Sequence, residues 1–268
     1  MLPILPNYGD SYHPSSHWTA ALDTKKKAWQ AQTLTPIHRA AVGLWTEVEA
    51  TYGALHFDHP EITREQIAQW FTAGDAASQT ASVAFQAEAL ALREAWQALQ
   101  ARAETLPSGE RDPLTEDDIH HFFRLTTGRK TVPKTEMFRT VAGVPQIETH
   151  QPAVAFALPK LLEMALDWFT TDAFAEIHPV EQATLFHLRL LDLQPFAAHN
   201  NRLVRLLASF YLLRGGYPPL ILLPDDRPVY QETLGYAFQM ITQPGVELFA
   251  RALTRTFDEW QSLSGGKL

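Results

Sequence analysis

The sequence predicts a mostly α-helical protein with one short β-hairpin and an N-terminal helical extension. Three observations carry this reading. Apolar residues recur at three- and four-residue spacing along most of the chain, residues 137–151 break that pattern and hold the one strand signal, and Pro, Gly and charge concentrate in one internal stretch, 106–113. In order along the chain, Ala40, Ala41, Leu44, Trp45 and Val48 form one stripe of a helix from Ile37 to about Thr51. Arg64 to Ala73 follows an N-cap residue, Thr63, with Ile67, Trp70 and Phe71 on one face. Ser82 to Arg102 is alanine-rich and made of strong helix formers. The stretch 106–113 then reads as a surface connection, dividing an N-terminal helical region, 1–112, from a second region, 113–262. Beyond it, Thr115 starts a helix whose first turn holds Glu116, Asp117 and Asp118, which complement the positive end of the dipole. Val141, Val144 and Ile147 around Gly143 and Pro145 suggest the hairpin. Helices are expected again at Leu158–Phe169, Pro179–Leu193, Arg202–Leu213, Tyr230–Thr242 and Val246–Trp260.

Composition narrows the function. The chain has 268 residues, 46% of them apolar and 19% charged, which is a globular balance. Its 22 basic and 30 acidic residues leave a net charge of -8, which disfavours wrapping nucleic acid. With no cysteine there is no disulfide, thiolate metal site or cysteine nucleophile. No apolar run approaches a membrane span, and the first ten residues lack the pattern of a signal peptide, so a cytoplasmic location is expected, with no membrane partner. The N-terminal segment Leu5–Trp18 reads as an arm on the surface or on a partner, and Lys25–Lys27 as a solvated helix face. His120 and His121 sit near Asp117 and Asp118. Adjacent residues point to different sides of a helix, which favours a solvated pair over a metal cluster, and no metal site is assigned.

The chemistry concentrates between residues 187 and 219. A helix ends near Leu193, a polar loop runs from Gln194 to Asn201, and a new helix starts with Arg202 and Arg205 three apart on nearly one face. Free backbone N–H groups at a helix start favour an anion, whereas two arginines there oppose the dipole unless an anion or carboxylate compensates them. Two readings follow. The arginines bind a phosphate or carboxylate ligand, or they pair as struts with the chain's own acids, such as Asp58 or Glu61.

The run Gln-Pro-Phe-Ala-Ala-His-Asn-Asn-Arg-Leu-Val-Arg, from Gln194 to Arg205, resembles the active-site loop of the Fic family, His-x-Phe-x-Asp/Glu-Gly-Asn-Gly-Arg-x-x-Arg. Phe196, Asn200, Arg202 and Arg205 match. His178-Pro179 and His187 in the preceding helix, and Arg214-Gly-Gly-Tyr-Pro-Pro after the loop, extend the likeness over at least residues 113–260. The resemblance implies a Fic-type helical bundle, and a relationship to enzymes that transfer AMP from ATP to hydroxyl side chains of target proteins. It also implies a target-docking flap beside Arg139, with Val144, Ile147 and Thr149 placed to contact an unknown target protein or peptide. Oligomerisation stays open.

The same resemblance implies impaired catalysis. Gln194 stands at the position of the family's His, the base that takes the hydroxyl proton, and a glutamine has no titratable proton acceptor near neutral pH. Losing such a base costs about 10²–10⁴-fold in rate. Ala198 replaces the acid that holds Mg²⁺, so ATP remains admissible as a ligand while Mg²⁺ is doubtful. His199 and Asn201 replace glycines of the phosphate nest, leaving Asn200, Arg202 and Arg205 as the retained anion-binding set. His199 lies on the phosphate side of the loop and is poorly placed as a displaced base. Ala54 and Asp58 stand where many family members carry the Ser and Glu of an inhibitory helix, which implies an Asp58 pair with Arg205. The expectation is a nucleotide-, anion- or peptide-binding module. An active transferase with non-standard chemistry and a purely structural protein are the alternatives.

Overall fold

The computed structural model describes residues 16–72, 83–105, 111–128, 131–133 and 137–265, and the N-terminal arm expected from the sequence lies outside them up to residue 15. Eleven helices appear among the described residues: α1 Ser16–Gln30, α2 Pro36–His56, α3 Arg64–Thr72, α4 Val83–Ala103, α5 Glu116–Thr127, α6 Leu158–Phe169, α7 Asp172–Ala175, α8 Pro179–Leu193, α9 Asn200–Arg214, α10 Arg227–Ala237 and α11 Gln243–Leu263. Local chemistry explains their ends. Thr35 caps α2 by accepting from the His38 N–H, and Pro36 opens the helix where its missing N–H costs nothing. Thr115 and Asp118 form a reciprocal capping box on α5, which stops at the left-handed Gly128.

The α8–α9 pair forms the centre of the fold and is the most extensive helix contact. Ala183, Phe186, Leu190, Leu203, Leu207 and Phe210 of this pair are fully enclosed, surrounded by α4, α5, α6, α10 and α11. A second apolar cluster, built on Val48, Tyr52, Leu55, Ile67, Phe71 and Leu92, binds α2, α3 and α4 together. Helix α2 closes on the Leu220–Leu222 segment at Gly53, where a Cβ would stand 2.3 Å from the Leu222 carbonyl oxygen. Only glycine permits that approach.

Three expectations are corrected. The β-hairpin at 141–151 does not form: among the described residues the only pairing is an isolated bridge between Phe138 and Phe196. Pro145 and Pro152 remove backbone donors, and side-chain bonds take over the job of a ladder, as described below. Lys25–Lys27 is not a merely solvated face. Lys25 pairs with Asp258, and Lys26 pairs with Asp23 at 3.1 Å while its ammonium lies 4.2 Å from the Tyr217 ring centre, so the run fastens α1 to the bundle. His120 and His121 are not a solvated pair, since His121 is exposed and His120 is wholly buried against Phe138 and Phe196. Among the described residues no helix is long and apolar enough to cross a membrane.

Candidate functional site

The loop from Gln194 to His199 joins the two central helices, so its geometry inherits their rigidity. Gln194, at φ 44°, and His199, at φ 62°, both hold left-handed backbone without being glycine. Such conformations cost on the order of 1–3 kcal/mol and persist only where the surroundings impose them. Of the two positions at which the family has glycine, only His199 requires a positive φ. Asn201 is helical, so its replacement carries no backbone penalty.

The surroundings that impose the loop are visible. Phe196 is buried, stacks on Phe123 with ring centres 4.1 Å apart, and anchors the loop to α5. The Asn200 side chain accepts from the Phe196 N–H at 3.0 Å and donates to the Phe196 carbonyl at 2.7 Å. An amide side chain thereby closes the turn as a second peptide group would. Arg139 caps the C-terminus of α8, where orphan carbonyls and the negative end of the dipole meet a cation. Its guanidinium donates to the Gln194 carbonyl at 2.7 Å, the Leu193 carbonyl at 3.1 Å and the Val141 carbonyl at 2.8 Å, and also to Ala153. Burial pushes this guanidinium below its ordinary value.

Gln194 is buried and committed to the segment above it. Its side-chain Oε1 accepts from the Val144 N–H at 3.1 Å, and its side-chain Nε2 donates to the Val144 carbonyl. The residue at the family's base position thus acts as a one-residue strand that pins the 141–152 segment over the loop. Val144 itself points out and is exposed, Thr149 is exposed, and Ile147 is half-buried near Gly235. Gln194→Ala is expected to release the segment. Amide exchange at Val144 should quicken about tenfold while global stability falls by about 1 kcal/mol, as read by hydrogen-exchange mass spectrometry and urea unfolding.

Arg202 and Arg205 leave the first turn of α9 toward the N-terminal helices. Arg202, whose side chain is 1% exposed, donates to Asp58 at 2.7 Å and to Glu88 at 2.7 Å, so both arms of its fork are taken. The expected Asp58–Arg205 pair is therefore not the one that forms. The shorter acid ends at Arg202, and Arg205 instead donates to the Gly53 carbonyl at 3.2 Å and the Asn201 carbonyl at 3.1 Å, with its guanidinium 4.3 Å from the Phe57 ring centre. Burial lowers the pKa of Arg205. Ala54 lies on the same stretch of α2, and Glu61 takes no recorded part in binding either arginine.

A cavity of about 200 Å³ lies between the loop and the 141–152 segment, with Asp58, Gly143, Gln194, Ala198, His199 and Asn201 among its walls. Its volume is below the roughly 300–1,000 Å³ of ordinary small-molecule sites, and the Asp58 carboxylate is part of its lining. Ala198 offers no oxygen to a metal, so the residues at the loop do not fit Mg²⁺ in the manner the resemblance implies. Behind the loop, His187 is buried and bonded to the Tyr230 hydroxyl at 2.8 Å, as a packed structural histidine would be. Burial, with Arg205 adding to it, pushes the His187 pKa down to about 3. Between pH ~6.5 and 3 the unfolded chain therefore takes up a proton that the folded chain refuses. This contribution is fully present above pH ~6.5 and is lost as pH falls, by about 1.4 kcal/mol per unit. Lowering the pH from 7 to 5 should cost about 2 kcal/mol through this residue, seen as a urea midpoint that shifts less in His187→Gln.

Sequence reasoning missed Glu88. A lone glutamate in an alanine-rich helix 114 positions from Arg202 reads as solvated surface, and only the packing of α4 against α9 brings it there.

Comparison with known proteins agrees with this geometry. Residues 113–212 match the Fic/DOC family. A protein adenylyltransferase Fic from Nematostella vectensis is 30% identical over 149 residues, 56% of this chain and 34% of that protein, so this chain spans about a third of its length. A Fic domain containing signaling protein from Bacteroides thetaiotaomicron superposes with a TM-score of 0.78 at 22% identity, covering 94% of this chain and 99% of that one. IbpAFic2, solved covalently tethered to Cdc42, superposes with a TM-score of 0.51 at 17% identity, covering 91% of this chain and 72% of that one. The sequence match over the loop and its flanking helices, with the same helical architecture around them, makes residues 113–212 similar in sequence to the Fic/DOC family and the chain similar in fold to Fic-domain structures.

Proposed function

We propose that this protein is a catalytically impaired Fic-fold module, acting by binding a protein partner at the 139–152 segment rather than by transferring AMP. The observation that carries the reading is Gln194. The side chain at the base position has no titratable group to accept a proton, and its amide is spent on holding the Val144 backbone. Ala198 removes the anchor for a charge-neutralising metal, so neither acid–base nor metal assistance is supplied by the loop. Exposed Val141 and Val144 sit at the rim of the cavity, where an extended target chain would lie against them. The tethering of IbpAFic2 to a protein partner supports a protein target for this fold.

A second reading concerns ATP. Arg202 belongs to the retained anion-binding set, and Asp58 with Glu88 occupies its guanidinium. Nucleotide binding by this chain is therefore weak until those acids leave. Both readings are tested by incubating the protein with α-labelled ATP and scoring self-labelling and labelling of a cell extract, beside the Gln194→His, Ala198→Asp variant. No covalent label from the unaltered chain is expected. Label at or above the level of the variant would sink the proposal and establish a transferase with different chemistry.

A further inference from the structure

Beside Arg202 and Arg205 of α9, and sharing no lining residue with the cavity at the 141–152 segment, lies a second cavity of about 40 Å³. Its walls come from α2, α4, α9 and the 220–222 segment, and include Gly53, Leu92, Trp96, Arg202, Arg205 and Ser209. Three of these residues carry an N–H that nothing accepts: Nε of Arg202, Nη2 of Arg205 and Nε1 of Trp96, all on side chains more than nine-tenths buried. Leaving such a group unmet costs about 1–3 kcal/mol, and more when it is charged. Three at one small cavity is a concentration that calls for an acceptor.

Charge points the same way. Arg202 is neutralised by Asp58 and Glu88, whose side chains are 39% and 33% exposed and so are screened by water. Arg205 bonds no carboxylate directly among the described residues: it has two backbone carbonyls and the face of Phe57, and Asp58, already bonded to Arg202, acts on it only at a distance. Its buried charge lacks a counter-ion inside the low-dielectric wall, where an anion would gain most. The desolvation that depresses Arg205 would be relieved by one.

Size and polarity define the ligand. A water needs roughly 10–15 Å³ of such space, so 40 Å³ holds one halide-sized ion or about three waters, and is far too small for a nucleotide. Water must place its own two hydrogens. Ser209 is already engaged, donating to the Arg205 carbonyl and accepting from the Leu220 N–H, the side chains of Leu92, Leu206, Leu220 and Leu222 are apolar, and Thr51 brings the one other side-chain hydroxyl of the lining. A ligand that only accepts fits three donors better.

We propose that this cavity binds one small monovalent anion of the halide class, held by Nε of Arg202, Nη2 of Arg205 and Nε1 of Trp96. The site is separate from the cavity under the 141–152 segment and stands whether or not that segment binds a partner. The anion would act as the missing counter-ion of Arg205 and as a wedge that fastens α2 and α4 to α9.

The test compares melting temperatures of the full chain in sodium chloride and in sodium gluconate at equal ionic strength, gluconate being too large to enter. Chloride at about ten times its dissociation constant should raise the melting temperature by about 3–5 °C. In Trp96→Phe, which keeps both arginines and an aromatic ring but removes the indole N–H and part of the ring, the difference between the two salts should shrink by at least half, whatever that variant does to stability in either salt alone. Crystals soaked in sodium bromide should show one anomalous peak beside Arg205 and Trp96. Equal melting temperatures in the two salts, or bromide soaks with no peak in the cavity, would overturn the proposal and leave waters as its contents. Neither result depends on labelling by ATP, so failure here and failure of the functional reading are distinguishable.

Discussion

Arg202→Met is expected to lower folding stability by about 3 kcal/mol. Removing the cation leaves Asp58 and Glu88 facing each other across the space that its guanidinium filled, with His59 3.5 Å from Glu88 as the nearest recorded relief. Breaking a buried pair by deleting one partner costs about 3–5 kcal/mol because a stranded charge remains. The present case belongs at the lower end, since both carboxylates keep about a third of their surface in water and can rehydrate. Methionine approximates the lost volume, so a cavity adds little. Urea unfolding with the slope held in common gives the number. Adding Asp58→Asn and Glu88→Gln to the same chain should recover most of it, because the repulsion goes with the charges. A loss under about 1 kcal/mol would mean that the cluster behaves as an ordinary exposed ion pair and does not lock the N-terminal helices onto α9.

The second large effect is on ligand affinity. Asp58→Asn with Glu88→Gln keeps the size and most hydrogen-bonding shape of both residues while removing the two charges that occupy the Arg202 fork. A freed arginine fork binds phosphate through paired charge-assisted bonds of about 1.5–3 kcal/mol each. Part of that gain is offset by lost stability in the N-terminal helices. The double variant is expected to bind ATP about 10–100-fold more tightly than the unaltered chain, by calorimetric titration without Mg²⁺. Arg202→Ala on top of the double variant should abolish the gain. Unchanged affinity in the double variant would show that the loop no longer receives a nucleotide and that the arginines serve only as struts.

Much of the fold could be read along the chain because its signals are local. Helical spacing of apolar residues, Thr115 with Asp118, and the Pro179 and Pro36 starts each depend on neighbours within about four positions. Helix α1 was hinted at only through Lys25–Lys27, because its anchoring partners, Asp258 and Tyr217, are more than 190 positions away. The hairpin failed for the converse reason. β-Branched Val141, Val144 and Ile147 carry the local preference of a strand, but Arg139 and Gln194 satisfy the backbone first and the prolines leave too few donors for a ladder.

At the site, the sequence by itself determined the inventory: no base at 194, no acid at 198, and two arginines three apart at the head of a helix. Those facts follow from residue identity, and no packing can add a titratable group to glutamine or an oxygen to alanine. What those groups touch was decided by the tertiary structure alone. Which arginine meets Asp58, that Glu88 joins it, that Gln194 grips Val144, and that Trp96 and Arg205 share a chamber with unmet donors all follow from how α2 and α4 close on α9. The physical reason is range. Propensity and capping act over one helical turn, whereas a salt bridge or a buried cavity acts over a few ångströms of space between residues that the chain separates by a hundred or more positions.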